Sequence, residues 1–252
     1  MKTAHYLHVA LFPRGAALAM LAAVLVVAGL AVVPATALAR PLTKVFLNGA
    51  PAPVYFNDGD SFAVTDGPLQ GTKARLAGFN TLESFGAVHR WGDWSATELY
   101  VIAKMATLNA RRGVWHCHSD LRRDGYGRIL WTCPDLIVDQ IRKGLAHAMT
   151  VTQDPSPPEQ LAAQRLAQAE RRGIWAHGIP PYILTSTHSN DEGYEGTTYN
   201  RLVSTVDGHS EKWIHKDIYA DCREVCHPTG SCMIHVNFTR RFGNGRAECL
   251  AH

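Results

Sequence analysis

Apolar and polar residues alternate through the segment that begins near Lys44. Val45 and Leu47, then Val54-Tyr55-Phe56, precede a tight Asn57-Asp58-Gly59-Asp60 turn, after which Ser61-Phe62-Ala63-Val64 resumes the extended pattern. Asp-Gly flanked by β-formers predicts a hairpin. Asp66-Gly67-Pro68 ends that strand, and Thr72 to Phe79 reads as a third. From Asp93 to Ala110 the period becomes helical, with Leu99, Ile102, Ala103 and Ala106 on one face and Gly113 as the stop. Two strands, Val114 to His118 and Arg128 to Cys133, are expected to face each other across a polar turn. A short helix follows from Leu136 to Lys143, ending at Gly144. A stronger one runs from Pro158 to Arg172, with Leu161, Ala162, Leu166 and Ala169 inward and Gly173 as its stop. The echo between Arg111-Arg112-Gly113-Val114-Trp115 and Arg171-Arg172-Gly173-Ile174-Trp175 reads as two helix ends with cations near the C-terminus and Gly as the cap.

The first 39 residues break this pattern. A basic start leads into an apolar run from Gly15 to Val33, then Pro34 and Ala37-Leu38-Ala39 before Arg40. That is the form of a signal peptide, residues 1–39. The competing reading is an uncleaved membrane anchor, since the run is long. Either way the remainder is expected outside the cytoplasm, secreted or periplasmic. Residues 40–252 carry 23 Lys and Arg against 22 Asp and Glu, which excludes a polycationic surface. Any polyanion must therefore meet a local cluster of arginines. The excess of basic residues falls in 40–176 and the excess of acidic ones in 177–252.

From His177 to Tyr199 the chain is rich in Gly, Pro, Ser, Thr and Asn, so 177–209 is expected to be a linker or irregular loop. Residues 210–252 hold Cys222, Cys226, Cys232 and Cys249 and suggest a disulfide-stapled module. An even set of six Cys in an exported chain favours disulfides over metal ligation. Cys117 and Cys133 flank the second expected hairpin, close enough to bridge. In the tail, Cys222–Cys226 and Cys232–Cys249 are the expected pairs, with zinc ligation aided by His227 and His235 as the alternative. His116 and His118 alternate along a strand and so share a face, as a metal-binding pair would, but the sequence offers no third ligand and they are read as surface or core-edge histidines. Asn237-Phe238-Thr239 fits a glycosylation acceptor.

Four segments carry candidate chemistry: the Asp58-Gly59-Asp60-Ser61 turn, Arg75 inside a strand, Asn80-Thr81-Leu82-Glu83, and Asp124-Gly125-Tyr126-Gly127-Arg128 opening a later strand. With Gly144-Leu145-Ala146 and Gly173-Ile174-Trp175, this combination resembles the thermonuclease (staphylococcal-nuclease-like) family over about residues 45–175. The resemblance implies an α+β fold: a five-stranded OB-type β-barrel with three helices, here residues 40–176, plus a small Cys-rich C-terminal extension. It further implies a Ca²⁺-dependent hydrolase, an endonuclease cleaving phosphodiester bonds of DNA and RNA. Asp60, the Asn80 side chain and the Thr81 carbonyl would hold Ca²⁺. Glu83 would be the general base, Arg75 and Arg128 would clamp the phosphate, and Tyr126 would line the nucleotide site. The chemistry suits those types: a hard cation offsets the diester's charge, and guanidinium forks match phosphate oxygens.

Two departures bear on that expectation. The family usually has Asp where this chain has Asn80 and Pro where it has Leu82; losing a carboxylate should weaken Ca²⁺ binding. At Thr150 and Thr152 it places aromatic rings, so stacking is reduced here. The plainer readings are a solvated Glu83 at a helix start, an Arg75–Asp58 salt bridge and Arg128 as a hairpin cap. Two functional alternatives follow: a catalytically silent nucleic-acid- or protein-binding module on the same barrel, and an inhibitor-like or cell-envelope interaction protein working through its tail.

Overall fold

The computed structural model describes residues 43–85, 88–193 and 196–250. The expected signal peptide and its cleavage site lie outside them, and no described helix is long and apolar enough to cross a membrane.

The first strands follow the alternation closely: β1 (Lys44–Leu47), β2 (Ala50–Ala52), β3 (Val54–Phe56), β4 (Ser61–Val64), β5 (Lys73–Leu76) and β6 (Phe79–Thr81). After β7 (His89–Arg90) comes α1 (Ala96–Ala110), begun by a capping box in which Ser95 and Glu98 bond each other's backbone N–H. Then come β8 (Val114–Cys117), β9 (Ile129–Trp131), α2 (Pro134–Arg142), β10 (Ala146–Ala148) and α3 (Pro158–Ala169). The C-terminal region adds β11 (Tyr182–Ser186), β12 (Tyr199–Ser204), β13 (Ser210–Ile214), β14 (Glu224–Cys226) and β15 (Cys232–Ile234).

Among the described residues these strands form five separate sheets: β2-β1-β8, β10-β6, β3-β4-β5-β9, β11-β12-β13 and β14-β15-β7. Each has two free edges, so none closes on itself. The expected OB-type barrel is therefore corrected to a set of small open sheets with three helices. The expected pairing of the two Cys-bearing strands changes as well. β8 runs parallel to β1 and β9 runs parallel to β5; among the described residues the two segments meet through one isolated antiparallel bridge just past their ends, His118–Thr132, and through the Cys117–Cys133 bond. The local patterns were sound, but period-2 alternation says nothing about which strand lies next to which.

The main core gathers Phe56, Phe62, Leu76, Phe79, Ile129 and Trp131 with Leu136, Ile137 and Ile141 of α2. The α1 face is as expected, with Leu99, Ile102, Ala103 and Ala106 buried. That of α3 is not: Ala163, Gln164 and Ala167 are buried, whereas Leu166 is 44% exposed. Gln164 goes inside because both ends of its amide find partners: its Oε1 accepts from Ala148 N (2.8 Å) and its Nε2 donates to Thr205 O (2.7 Å). Gly144 and Gly173 have positive φ and face one another, so a Cβ on either would lie about 2 Å from the other segment's carbonyl. They are places of close backbone approach, sealed by Ile174 N donating to Gly144 O (2.8 Å).

The stretch expected to be a linker carries β11 and β12, which with β13 form a regular antiparallel sheet. All six cysteines are bonded. Cys117–Cys133 forms as expected, whereas the tail pairs Cys222 with Cys249 and Cys226 with Cys232. The expected order fails because β14 and β15 pair antiparallel and set Cys226 opposite Cys232. β15 also pairs with β7, which joins the tail to the first part of the chain immediately after the Glu83 segment.

Candidate functional site

The Asp58 turn is an Asx turn, with Asp58 Oδ1 accepting from Ser61 Oγ (2.6 Å) and from Asp60 N (3.3 Å). Gly59 is required there: a Cβ would stand 2.5 Å from Thr81 Cγ2 and 2.9 Å from Ala106 Cβ. The turn thus lies directly against β6 and α1 and aims Asp60 inward. Register sets Ser61 opposite Arg75, and Leu76 N donates to Asp60 O (2.9 Å).

Asp60, Arg75, Asn80 and Thr81 form one closed network. Arg75 pairs with Asp60 Oδ1, not with Asp58, and also donates to Asn80 Oδ1 (2.6 Å). Thr81 N donates to Asp60 Oδ2 (2.8 Å), and Asn80 Nδ2 donates to Thr81 O (2.8 Å). His147 lies opposite Asn80 on β10, its Nδ1 meeting the Ala148 carbonyl at 3.1 Å. Burial pushes the Asp60 carboxyl up to about 7, against the pull of Arg75. Burial likewise lowers His147 to about 4 and His89 to about 3, which holds both rings neutral.

Ca²⁺ takes six to eight oxygens. Here the three expected donors, Asp60, the Asn80 side chain and the Thr81 carbonyl, already accept hydrogen bonds from the protein. The Arg75 guanidinium bridges the two side-chain oxygens a cation would need, and the donor set in this arrangement does not fit Ca²⁺. Among the described residues one trio of His, Cys, Asp and Glu brings its ligand atoms within 4.8 Å of one another, Glu224, Cys226 and Cys232, and its two sulfurs are bonded to each other.

Glu83 stands differently. Its segment is tied to α1 by Lys104 Nζ donating to Ser84 O (2.6 Å) and lying over the Phe85 ring (4.2 Å). Its own N–H points at His89 Nε2 (3.5 Å). Burial, and then the charge of Asp58, raise the Glu83 carboxyl, while Arg241, Arg75 and Arg128 pull it back down. No ion pair within 4.0 Å holds Glu83 among the described residues, and it is half-buried. Arg128 is gripped by Asp124 (2.7 Å) at the start of β9, beside the strand that bears Arg75. Its guanidinium lies 5.4 Å from the ring of Tyr126, which is 72% exposed.

Arg241 is the residue that sequence reasoning missed. It follows Val236, which is buried with Val88, Ala247 and Leu250, and its Nε donates to Val236 O (3.0 Å). It makes no ion pair among the described residues. The Cys222–Cys249 bridge closes the loop that carries it. No local motif marks Arg241; the nearest signal is the run Phe238-Thr239-Arg240-Arg241-Phe242, an arginine pair between aromatics.

The expected site residues thus divide into a saturated set (Asp60, Arg75, Asn80, Thr81) and a half-exposed set around Glu83, with Arg128 and Tyr126 at its margin. Among the described residues, no group of carboxylates and histidines with its ligand atoms within 4.8 Å of one another accompanies the arginines. No family model matches this chain, and no curated protein matches it. With open sheets in place of the barrel, these findings overturn the thermonuclease resemblance together with the hydrolase, endonuclease and OB-fold assignments drawn from it.

Proposed function

We propose that this chain is an exported binding protein that holds a phosphate-bearing ligand at the mouth around Glu83, with no bond-breaking step. The observation that supports this reading is that Arg241, which makes no ion pair among the described residues, and Arg128 act on one half-buried carboxylate, while Arg75, already paired to Asp60, adds its charge and Asp58 opposes them. Guanidinium forks match phosphate oxygens in geometry as well as charge. Glu83 acts as the resident counter-charge: Asp60, Asp124 and the Val236 carbonyl hold the arginines in place, and Glu83 offsets part of their charge when no ligand is bound and opposes the ligand's charge when one arrives. Exposed Tyr126 beside Arg128, and Phe238 and Phe242 on either side of Arg240 and Arg241, add rings on which a flat group can stack. DNA and RNA are the polyanions such a surface would meet outside a cell. Export is part of the proposal and rests on the Ala37-Leu38-Ala39 pattern and the three disulfides.

The test is fluorescence anisotropy with a labelled single-stranded oligonucleotide, competed with tripolyphosphate, over a range of salt. Binding should weaken about 3- to 10-fold in Arg241→Ala and in Arg128→Ala. Each variant should also flatten the dependence on salt by about one charge. Affinity should rise as pH falls through the elevated range of Glu83, because protonation removes the opposing charge. Excess Ca²⁺ should not strengthen binding, since it would first have to displace Arg75. Identical affinities in wild type and both arginine variants would refute the proposal.

A further inference from the structure

The sequence leaves His116 and His118 as a pair without a third ligand; the structure supplies one. His116 near the end of β8 and His118 just past it are both exposed, on either side of buried Cys117. Cys117 is bonded to Cys133, and Cys133 is followed directly by Pro134 and Asp135 at the start of α2. The disulfide therefore ties the segment His116-Cys117-His118 to the segment Cys133-Pro134-Asp135. Together these five residues His116, Cys117, His118, Pro134 and Asp135 line an open recess of about 400 Å³.

Within it Asp135 Oδ2 lies 3.0 Å from His116 Nδ1 and accepts the His116 backbone N–H (2.8 Å). Asp135 Oδ1 accepts the Leu136 N–H (2.8 Å), which fixes the carboxylate plane. The His116 ring is further held by stacking on Phe46, with centroids 5.3 Å apart and planes 11° from parallel. His118 differs: its ring makes no hydrogen bond or ion pair among the described residues, and the ligand atoms of the three residues do not all lie within 4.8 Å of one another, so the His118 ring has to turn to join the other two.

We propose that His116, His118 and Asp135 form a surface site for a divalent transition ion, of the Zn²⁺ class. Two imidazoles, which are borderline nitrogen donors, with one carboxylate make a set suited to Zn²⁺, whereas Ca²⁺ and Mg²⁺ call for oxygen ligands throughout. The separation of His116 Nδ1 and Asp135 Oδ2 is close to that of two ligands on one tetrahedral ion with bonds of about 2.1 Å. The ion takes the place of the proton between them, and His118 swings in as the third ligand, leaving the fourth position to water. The Cys117–Cys133 bridge organises the site by holding both ligand-bearing segments in place before metal arrives. This site lies apart from the Glu83 mouth and does not depend on the reading of that mouth.

The experiment is calorimetric titration of Zn²⁺ into the full, oxidised chain, with the His C–H signals followed by NMR. Wild type should take up one equivalent at micromolar concentration, with the His116 and His118 signals moving first. His116→Ala and His118→Ala should each lower affinity at least tenfold, and Asp135→Asn roughly tenfold. Both histidines are exposed, so these variants should keep the wild-type circular dichroism. Undiminished one-equivalent uptake by the His116→Ala/His118→Ala double variant would overturn the proposal, as would failure of wild type to take up Zn²⁺.

Discussion

Asp60 and Glu83 lie near each other in space and both have carboxyls raised by burial, yet they occupy opposite situations. Asp60 is 2% exposed, and both of its oxygens are engaged, one by Arg75 and one by the Thr81 N–H. Glu83 feels Asp58 and, more weakly, the three arginines, and pairs closely with none of them among the described residues. The first arrangement is closed and contributes to the fold; the second has capacity left for an incoming anion. The same residue types in the same neighbourhood serve structure or recognition according to whether their hydrogen-bonding capacity is used up. Sequence spacing does not reveal that difference.

The sharpest way to break this contrast is to cut the closed network. Asp60→Ala leaves Arg75, whose side chain is only 17% exposed, without its partner, and should cost about 3–5 kcal/mol in chemical denaturation. Replacing both, as Asp60→Leu with Arg75→Met, should recover most of that loss. A single variant as stable as wild type would mean that the pair is not a closed unit.

Acid tests the same network from below. His147 is neutral in the fold with its value lowered to about 4, whereas an imidazole in the unfolded chain titrates near 6.5. Below that range the unfolded state binds the extra proton, so stability falls as pH drops from about 6.5 towards 4, by roughly 3 kcal/mol for this residue. His89, lowered further to about 3, continues the loss at lower pH. Asp60, raised to about 7, takes up a proton on folding over the same window and offsets part of the loss. The slope is therefore read from the difference between wild type and His147→Gln in denaturation curves at stepped pH; identical pH profiles for the two would place the His147 ring in solvent.

How much of this was readable in advance follows from the range of the interactions. Strands Lys44–Leu47, Val54–Phe56 and Ser61–Val64, the Asx turn at Asp58 and the buried face of α1 depend on neighbours in sequence, and all were legible. The Cys117–Cys133 bridge was legible as well, though β8 and β9 turned out to belong to different sheets. The inward face of α3 was misread because apolarity favours Leu166, while tertiary hydrogen bonds bury Gln164. The β-barrel was an inference from motif order, and motif order does not specify sheet closure. Arg241 was invisible because its placement depends on the Cys222–Cys249 bridge and on β15 pairing with β7, both of them non-local.

That dependence gives a smaller effect. Replacing Cys222 and Cys249 by Ser should cost about 2 kcal/mol, the low end for a native bridge, because Cys226–Cys232 still closes the shorter loop nested inside it. Anion affinity should fall by as much as in Arg241→Ala, since freeing the tail withdraws that guanidinium. Weakened folding with unchanged affinity would show that Arg241 takes no part in the mouth.

The smallest effect on stability, and the most informative about the contrast, is expected from Glu83→Gln. Glu83 has no close ion pair and keeps one side toward solvent, so the neutral isostere should change stability by less than about 0.5 kcal/mol. It should nevertheless raise affinity for the oligonucleotide about 3-fold or more and remove the rise in affinity at lower pH. Removing a carboxylate from a closed network lowers stability; removing one that only balances nearby cations frees them for a ligand. Asp60→Asn serves as the matched comparison: it should lose stability and gain no affinity. If the two substitutions behaved alike in both assays, Glu83 would belong to the same closed network as Asp60, and the mouth would have no capacity left to bind with.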